Sequence, residues 1–171
     1  MILIGLGANI AGQYGSPEQA LRAACSTLSS CGLELLAVSR VWLSAPVPIS
    51  AQPWYHNAVI SVETALSSGD LLCLLKNVEK DFGRIQAVRN APRVLDLDIL
   101  SYHDDVSVCA DLMIPHPRMH ERAFVLYPLR DVAPNWVHPI LNLSVDALIE
   151  NLPPEQEISL LQKGGVNVIC I

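Results

Sequence analysis

Two helix-start signatures divide this chain and constrain its fold more than any other feature. The first is Ser16-Pro17-Glu18-Gln19: a serine cap, proline at the first helical position and glutamine at the capping-box position. Leu21, Ala24, Cys25 and Leu28 follow at helical spacing, and Gly32 ends the run. The second is Ser67-Ser68-Gly69-Asp70, followed by Leu71, Leu72, Leu75, Val78 and Phe82, with Gly83 as its stop. Around these helices lie β-prone runs at Ile2 to Gly7, Leu33 to Leu43, Tyr55 to Thr64 and a fourth that follows Arg93 and carries Asp96 and Asp98. The order strand, helix, strand, strand, helix, strand predicts an α+β sandwich with a ferredoxin-like βαββαβ core, an antiparallel sheet with helices on one face.

A proline-rich loop, Ser44 to Pro53, separates the second and third strands, and a basic loop, Arg84 to Arg93, leads into the fourth. Beyond it come Ile114 to Pro117, a helix from about Glu121 interrupted near Pro128, and a weak helix after Ser144. The tail, Pro153 to Ile171, has room for a last strand at Val166 to Ile171. With 171 residues the expectation is one domain over 1–171, its core about 1–140 and a C-terminal extension about 141–171.

The fourth strand carries the chemistry. Arg93-Val94-Leu95-Asp96-Leu97-Asp98-Ile99-Leu100 places two carboxylates two residues apart in an apolar run. In a strand they share one face, about 7 Å apart. Their apolar neighbours make this a poor place for an uncompensated charge. Two aspartates so arranged can bridge a pair of Mg²⁺ ions about 4 Å apart on a polyphosphate. Arg84, Arg89 and Arg93 lie between the second helix and this strand, and Arg118 and Arg122 follow it. A guanidinium fork matches two phosphate oxygens, so carboxylates with arginines make the parts of a phosphoryl-transfer site.

His116 stands between Pro115 and Pro117, whose rigid flanks suit a positioned donor to phosphate or a helper of the metal site, with a structural histidine as the competing reading. The other histidines show no ligand spacing. Tyr55, Asn57 and Phe124 are candidates for a flat heterocycle: two aromatics to sandwich it and an amide to read its donor and acceptor edge. Gly5-Leu6-Gly7-Ala8-Asn9 lacks the third glycine of a dinucleotide fingerprint and the lysine of a P-loop, and is read as a tight strand-to-helix turn.

Composition narrows the function classes. A net charge of −6 disfavours a nucleic-acid binder, though an arginine cluster suffices for a nucleotide. No apolar run approaches a membrane span, and Met1 to Gly5 reads as a strand rather than a signal peptide. Cys25, Cys31, Cys73, Cys109 and Cys170 form no C-x-x-C pair, which predicts reduced, mostly buried thiols in the cytoplasm.

Several ordered motifs resemble one family, the 6-hydroxymethyl-7,8-dihydropterin pyrophosphokinases of folate biosynthesis. They are Gly5-Leu6-Gly7-Ala8-Asn9, Gln52-Pro53-Trp54-Tyr55-His56-Asn57-Ala58, Val78-Glu79-Lys80-Asp81-Phe82-Gly83-Arg84, Pro92 through Leu100, Ile114-Pro115-His116-Pro117-Arg118 and Arg122-Ala123-Phe124-Val125-Leu126. The resemblance implies an ATP-dependent diphosphotransferase that moves a diphosphate to the pterin hydroxymethyl group and releases AMP. Asp96 and Asp98 would hold two Mg²⁺ ions along the ATP triphosphate. Arg84, Arg89, Arg93, His116 and Arg122 would grip phosphates, with Arg84 and Arg93 joining the aspartates in catalysis. Glu79 and Ile99 would help form the nucleotide site. Tyr55 and Phe124 would stack on the pterin, Asn57 would read its edge, and Ser44, Ala45 and Val47 would supply backbone contacts.

The chain departs from the family pattern at Gln86, where an arginine is frequent, and at Asn90-Ala91, where a tryptophan-glycine pair is frequent. Ala45 takes a position often held by proline, and Pro117 one that can be tyrosine. Activity is expected, with weaker loop closure and Arg89 standing in for the missing guanidinium. Small-molecule substrates, no nucleic acid, no membrane and a monomer are the expected associations. Two other readings share some of these features: a palm-type two-metal nucleotidyl enzyme, and a non-catalytic pterin- or nucleotide-binding paralogue. The palm type places one acid on its first strand, where Met1 to Gly7 has none.

Overall fold

Alternation along the first strand decides how the sheet is buried. In β1 (Ile2–Ala8), Ile2, Ile4, Leu6 and Ala8 face one side, while Leu3, Gly5 and Gly7 face the other. The structure is a computed structural model and describes residues 1–48, 50–83, 92–109 and 111–162. The expectations at Arg84, Gln86, Arg89, Asn90, Ala91 and Cys170, and the last strand at Val166 to Ile171, lie outside the described residues.

Helix α1 (Pro17–Ser30) starts where its cap predicts: Ser16 Oγ accepts from the Gln19 N–H at 3.2 Å. It ends in a Schellman arrangement. Gly32 has φ +91°, its N–H donates to Ser29 O at 3.0 Å, and the Leu33 N–H reaches Leu28 O at 3.2 Å. Helix α2 (Ser68–Asp81) is capped by Ser67 Oγ, which accepts from the Asp70 N–H at 3.1 Å. Both helices lay their apolar stripes on the Ile2–Ile4–Leu6 face. Leu21, Leu28, Leu71 and Leu75 are fully buried there, each contributing roughly 2 kcal/mol.

The run Leu33 to Leu43, expected as one strand, is two: β2 (Glu34–Val38) and β3 (Trp42–Ser44). Ser39 makes the break. Its hydroxyl accepts from the Val59 N–H at 2.9 Å, and Arg40 turns away to pair with Asp131. Both pieces pair with β4 (Tyr55–Glu63), which also pairs with β1. With β5 (Asp96–Tyr102) and β8 (Ile158–Leu160) the main sheet runs β5-β1-β4-β3-β8, with β2 on β4 and every pairing antiparallel. A two-stranded ribbon, β6 (Ser107–Val108) with β7 (Met113–Ile114), follows β5.

Helices on one face describes only α1 and α2. Helix α3 (Ala123–Val132) covers the opposite face, packing Val125 and Leu129 on Leu3, Val59 and Leu100, with Val145 of α4 (Val145–Glu150) beside them. The expected interruption at Pro128 is absent: α3 runs through it. A mid-helix proline costs about 3 kcal/mol. Complete burial of Leu126 and Leu129 on either side of it offsets that.

Among the described cysteines only Cys25 is buried; Cys31, Cys73 and Cys109 are exposed, contrary to the expectation of mostly buried thiols. Cys25 lies on the inward stripe of α1, and burial pushes its thiol up to about 11. Near neutral pH it is therefore protonated as well as shielded. A soluble maleimide applied to the native protein should label Cys31, Cys73 and Cys109 and leave Cys25 intact in peptide mapping. Labelling of Cys25 at a rate equal to theirs would contradict this packing. Among the described residues no helix is long and apolar enough to cross a membrane.

Candidate active site

Gly5 and Gly7 open the site. On β1 they face the α3 side of the sheet, and the register sets Gly7 between Asn57 and Asp96, and Gly5 between Val59 and Asp98. The expected tight turn is therefore strand, and the missing side chains form the floor of a cavity. A Cβ on Gly7 would lie 3.7 Å from Asn57 Oδ1 and 4.0 Å from Asp96 Cβ, so any larger branched side chain would fill the gap between them. The cavity measures about 620 Å³ and is walled by the 44–48 loop, the start of α3 and the segment near Pro153 and Gln156.

Strand alternation sends Leu97 and Ile99 into the α1–α2 core and leaves Asp96 and Asp98, both half-buried, in the cavity. Arg93 reaches Asp96 through an ion pair. Asp98 makes no ion pair among the described residues, but Arg93, His116 and Arg122 lie close enough to feel its charge. The donor set suits Mg²⁺: two hard carboxylates line the same cavity, with the remaining ligands left to phosphates and water. Among the described residues no cluster of three or more His, Cys, Asp or Glu side chains could cage a metal by itself.

His116 is held by its backbone, whose N–H donates to Leu100 O at 2.9 Å. Its Nδ1 accepts from the Arg118 N–H at 3.2 Å, which places the proton of the neutral ring on Nε2 as a donor. Burial lowers its pKa, opposed by Asp98 and assisted by Arg122, so the ring is neutral near pH 7. Burial, then the Arg118 charge, pushes Arg122 down from its ordinary value, leaving a desolvated cation in the cavity wall. Its guanidinium lies 5.5 Å over the Phe124 ring.

The ring candidates converge on the same cavity. Ser44, Ala45, Val47, Tyr55, Asn57 and Phe124 all line it. Asn57 differs from the expectation in one respect. Its Nδ2 is committed to Ser44 Oγ at 3.0 Å, Trp42 O at 3.2 Å and Tyr55 O at 3.3 Å, so Oδ1 is the edge it presents, as an acceptor. Burial raises the Tyr55 pKa, keeping the phenol protonated.

Glu79 and Ile99 are not brought into the cavity. Glu79 is fully buried behind β5, where its carboxylate accepts from the Leu97 N–H at 2.7 Å and Lys76 Nζ at 3.1 Å. Burial raises its pKa, opposed by those two donors. Ile99 points its side chain into the core, although β5 is an edge strand and keeps main-chain groups at its border.

Asn9, to which its motif assigns no role of its own, knits the site together. Its Oδ1 accepts from the Arg93 N–H at 2.7 Å, its own N–H donates to Arg93 O at 3.0 Å, and Nδ2 donates to Gln52 Oε1 at 3.0 Å and Pro53 O at 3.3 Å. The signal was its place at the end of Gly5-Leu6-Gly7-Ala8, directly after the strand that floors the cavity.

Together these features define an α+β fold in which, among the described residues, a cavity is lined by paired carboxylates, arginines, Tyr55, Asn57 and Phe124. A sequence profile described as 7,8-dihydro-6-hydroxymethylpterin-pyrophosphokinase matches residues 3–134. The Synechocystis protein named 2-amino-4-hydroxy-6-hydroxymethyldihydropteridine pyrophosphokinase is 37% identical over 151 residues, covering 88% of this chain and 75% of that one. The Dictyostelium discoideum folic acid synthesis protein FOL1 is 42% identical over 117 residues, covering 68% of this chain and 18% of that one. This chain thus spans less than a fifth of the length of that larger relative. The crystal structure of wild-type Plasmodium falciparum HPPK-DHPS shares the fold, with a TM-score of 0.67 at 14% identity over 87% of this chain and 44% of that one. The chain belongs to the 7,8-dihydro-6-hydroxymethylpterin-pyrophosphokinase family.

Proposed function

We propose that this chain transfers a diphosphate from ATP to the hydroxymethyl group of 6-hydroxymethyl-7,8-dihydropterin, giving the pterin diphosphate and AMP in folate biosynthesis. Family membership supports the reading, and one observation carries it: the carboxylate pair Asp96–Asp98 and the ring set Tyr55, Asn57 and Phe124 line a single cavity. Its volume of about 620 Å³ lies in the range of small-ligand sites.

The pterin alcohol oxygen attacks the β-phosphorus of ATP. A new O–P bond forms, the bond between that phosphorus and the oxygen bridging it to the α-phosphorus breaks, AMP leaves, and the alcohol proton passes to solvent. Asp96 and Asp98 would hold two Mg²⁺ ions, which when bound neutralise charge on the triphosphate. Arg93, His116 Nε2 and Arg122 orient phosphate oxygens, and Arg84 and Arg89 are assigned to the same task. Tyr55 and Phe124 sandwich the ring, Asn57 Oδ1 accepts from a ring N–H, and Ser44, Ala45 and Val47 supply backbone contacts to it. Glu79 acts from behind the strand, through the Leu97 N–H, and Ile99 acts through its main chain. The work is alignment and charge neutralisation, so no strong base is required.

Within this reading the chain acts as one cytoplasmic, monomeric domain without nucleic acid or membrane partners. Pairing of β8 with β3 supports including residues beyond 140 in that domain. Incubation with Mg²⁺-ATP and the hydroxymethyldihydropterin should yield AMP and pterin diphosphate in equal amounts. Release of ADP or of inorganic diphosphate, or no turnover, would overturn the reading; ligand binding without turnover would favour the non-catalytic paralogue.

A further inference from the structure

We propose that Gln156 is a positioning residue for the pterin end of the cavity, an inference that rests on the diphosphate-transfer reading above. Helix α3 opens at Ala123 with Arg122 as its cap, and the Arg122 side chain makes no capping bond. The first N–H groups of a helix need acceptors from elsewhere. Gln156 supplies one: its Oε1 accepts from the Ala123 N–H at 2.9 Å, and its Nε2 donates to Glu121 O at 2.9 Å.

One planar amide thus grips the backbone on both sides of Arg122. With both neighbouring peptide groups held, the direction in which the first turn of α3 launches its side chains is set. Phe124 depends on that direction most. Its ring has only two torsions and goes where its backbone sends it, whereas the long Arg122 side chain can re-aim after a small backbone shift.

The same strap reaches the opposite wall. Glu157, the next residue, accepts from the Ala45 N–H at 3.3 Å, and β8 pairs Ile158, Ser159 and Leu160 with Ser44, Leu43 and Trp42. Consecutive residues therefore tie the Ala45 loop and the Phe124 turn to one another across the cavity that Gln156 itself lines. Only a primary amide of this length fits both backbone groups. Glutamate keeps the acceptor for Ala123 but sets a carboxylate against the Glu121 carbonyl, and leucine keeps neither bond.

The test uses the full chain with Gln156→Leu and Gln156→Glu. Affinity for 6-hydroxymethylpterin and for a non-hydrolysable Mg²⁺-ATP analogue is measured by titration, alongside KM, kcat and thermal melting. In the leucine variant the pterin Kd and KM should rise about tenfold, and in the glutamate variant about threefold, while nucleotide affinity and kcat stay within about twofold. Should the leucine variant fail to fold, the glutamate variant carries the same comparison. Wild-type pterin affinity in the folded variants would overturn the positioning role, as would equal losses for both ligands. A wild-type protein that binds no pterin would overturn the functional reading, and with it this inference, in a measurement made before any variant.

Discussion

Asp98→Ala is expected to lower kcat by on the order of 10³-fold or more while the protein stays folded. The two halves of that expectation come from the two faces of β5. On the core face, Leu97 and Ile99 remain packed against α1 and α2, so the strand keeps its place. On the cavity face, removing the Asp98 carboxylate leaves Asp96 alone, and Asp96 is already engaged by Arg93. One carboxylate paired to an arginine is a poor magnesium ligand next to two converging ones. Steady-state turnover with a thermal melt on the same preparation decides it. A folded variant with undiminished kcat would remove the carboxylate pair from the reaction.

Phe124→Ala should weaken pterin binding by about 2 kcal/mol, some thirtyfold, and Mg²⁺-nucleotide binding hardly at all. The ring lies in the cavity wall beneath the Arg122 guanidinium. Its loss removes a stacking surface that a flat heterocycle uses and a flexible triphosphate does not. The stability cost should be modest, because Phe124 is half-buried and α3 is anchored by Val125, Leu126 and Leu129. Separate titrations with pterin and with a nucleotide analogue give the contrast. Parallel losses for the two ligands would count against the stacking assignment.

Much of this cavity was legible from short-range pattern. Leu97, Ile99 and the two aspartates announce their opposite faces by period-two alternation, and Tyr55 and Asn57 share a face for the same reason. Gly5 and Gly7 lie in a strand rather than a turn, a distinction that a glycine pair by itself leaves open. It reads as a turn unless the neighbouring strands are known, and only the register with Asn57 and Asp96 shows why side chains are absent there. The Ser39 break and the uninterrupted helix at Pro128 belong to the same class. Each sets a local preference against a long-range contact, Val59 for Ser39 and the sheet face for α3, and the contact prevails.

Asn57 shows a finer limit. Its residue type predicts both a donor and an acceptor, but Ser44, Trp42 and Tyr55 take the donors, so only the acceptor is offered to a ligand. Glu79 is similar: a carboxylate on a helix reads as available, yet it is spent on the Leu97 amide and Lys76.

Local pattern dictates the two capped helices, the sheet alternation and the carboxylate-bearing strand, because each depends on residues within one or two turns of each other. Long-range packing places α3 on the second face, adds β8 to the sheet, and brings Gln156 to Glu121 and Ala123 from 35 and 33 residues away. Such contacts carry no local period. They exist only after chain closure has brought distant backbone groups together, where each buried donor must find an acceptor.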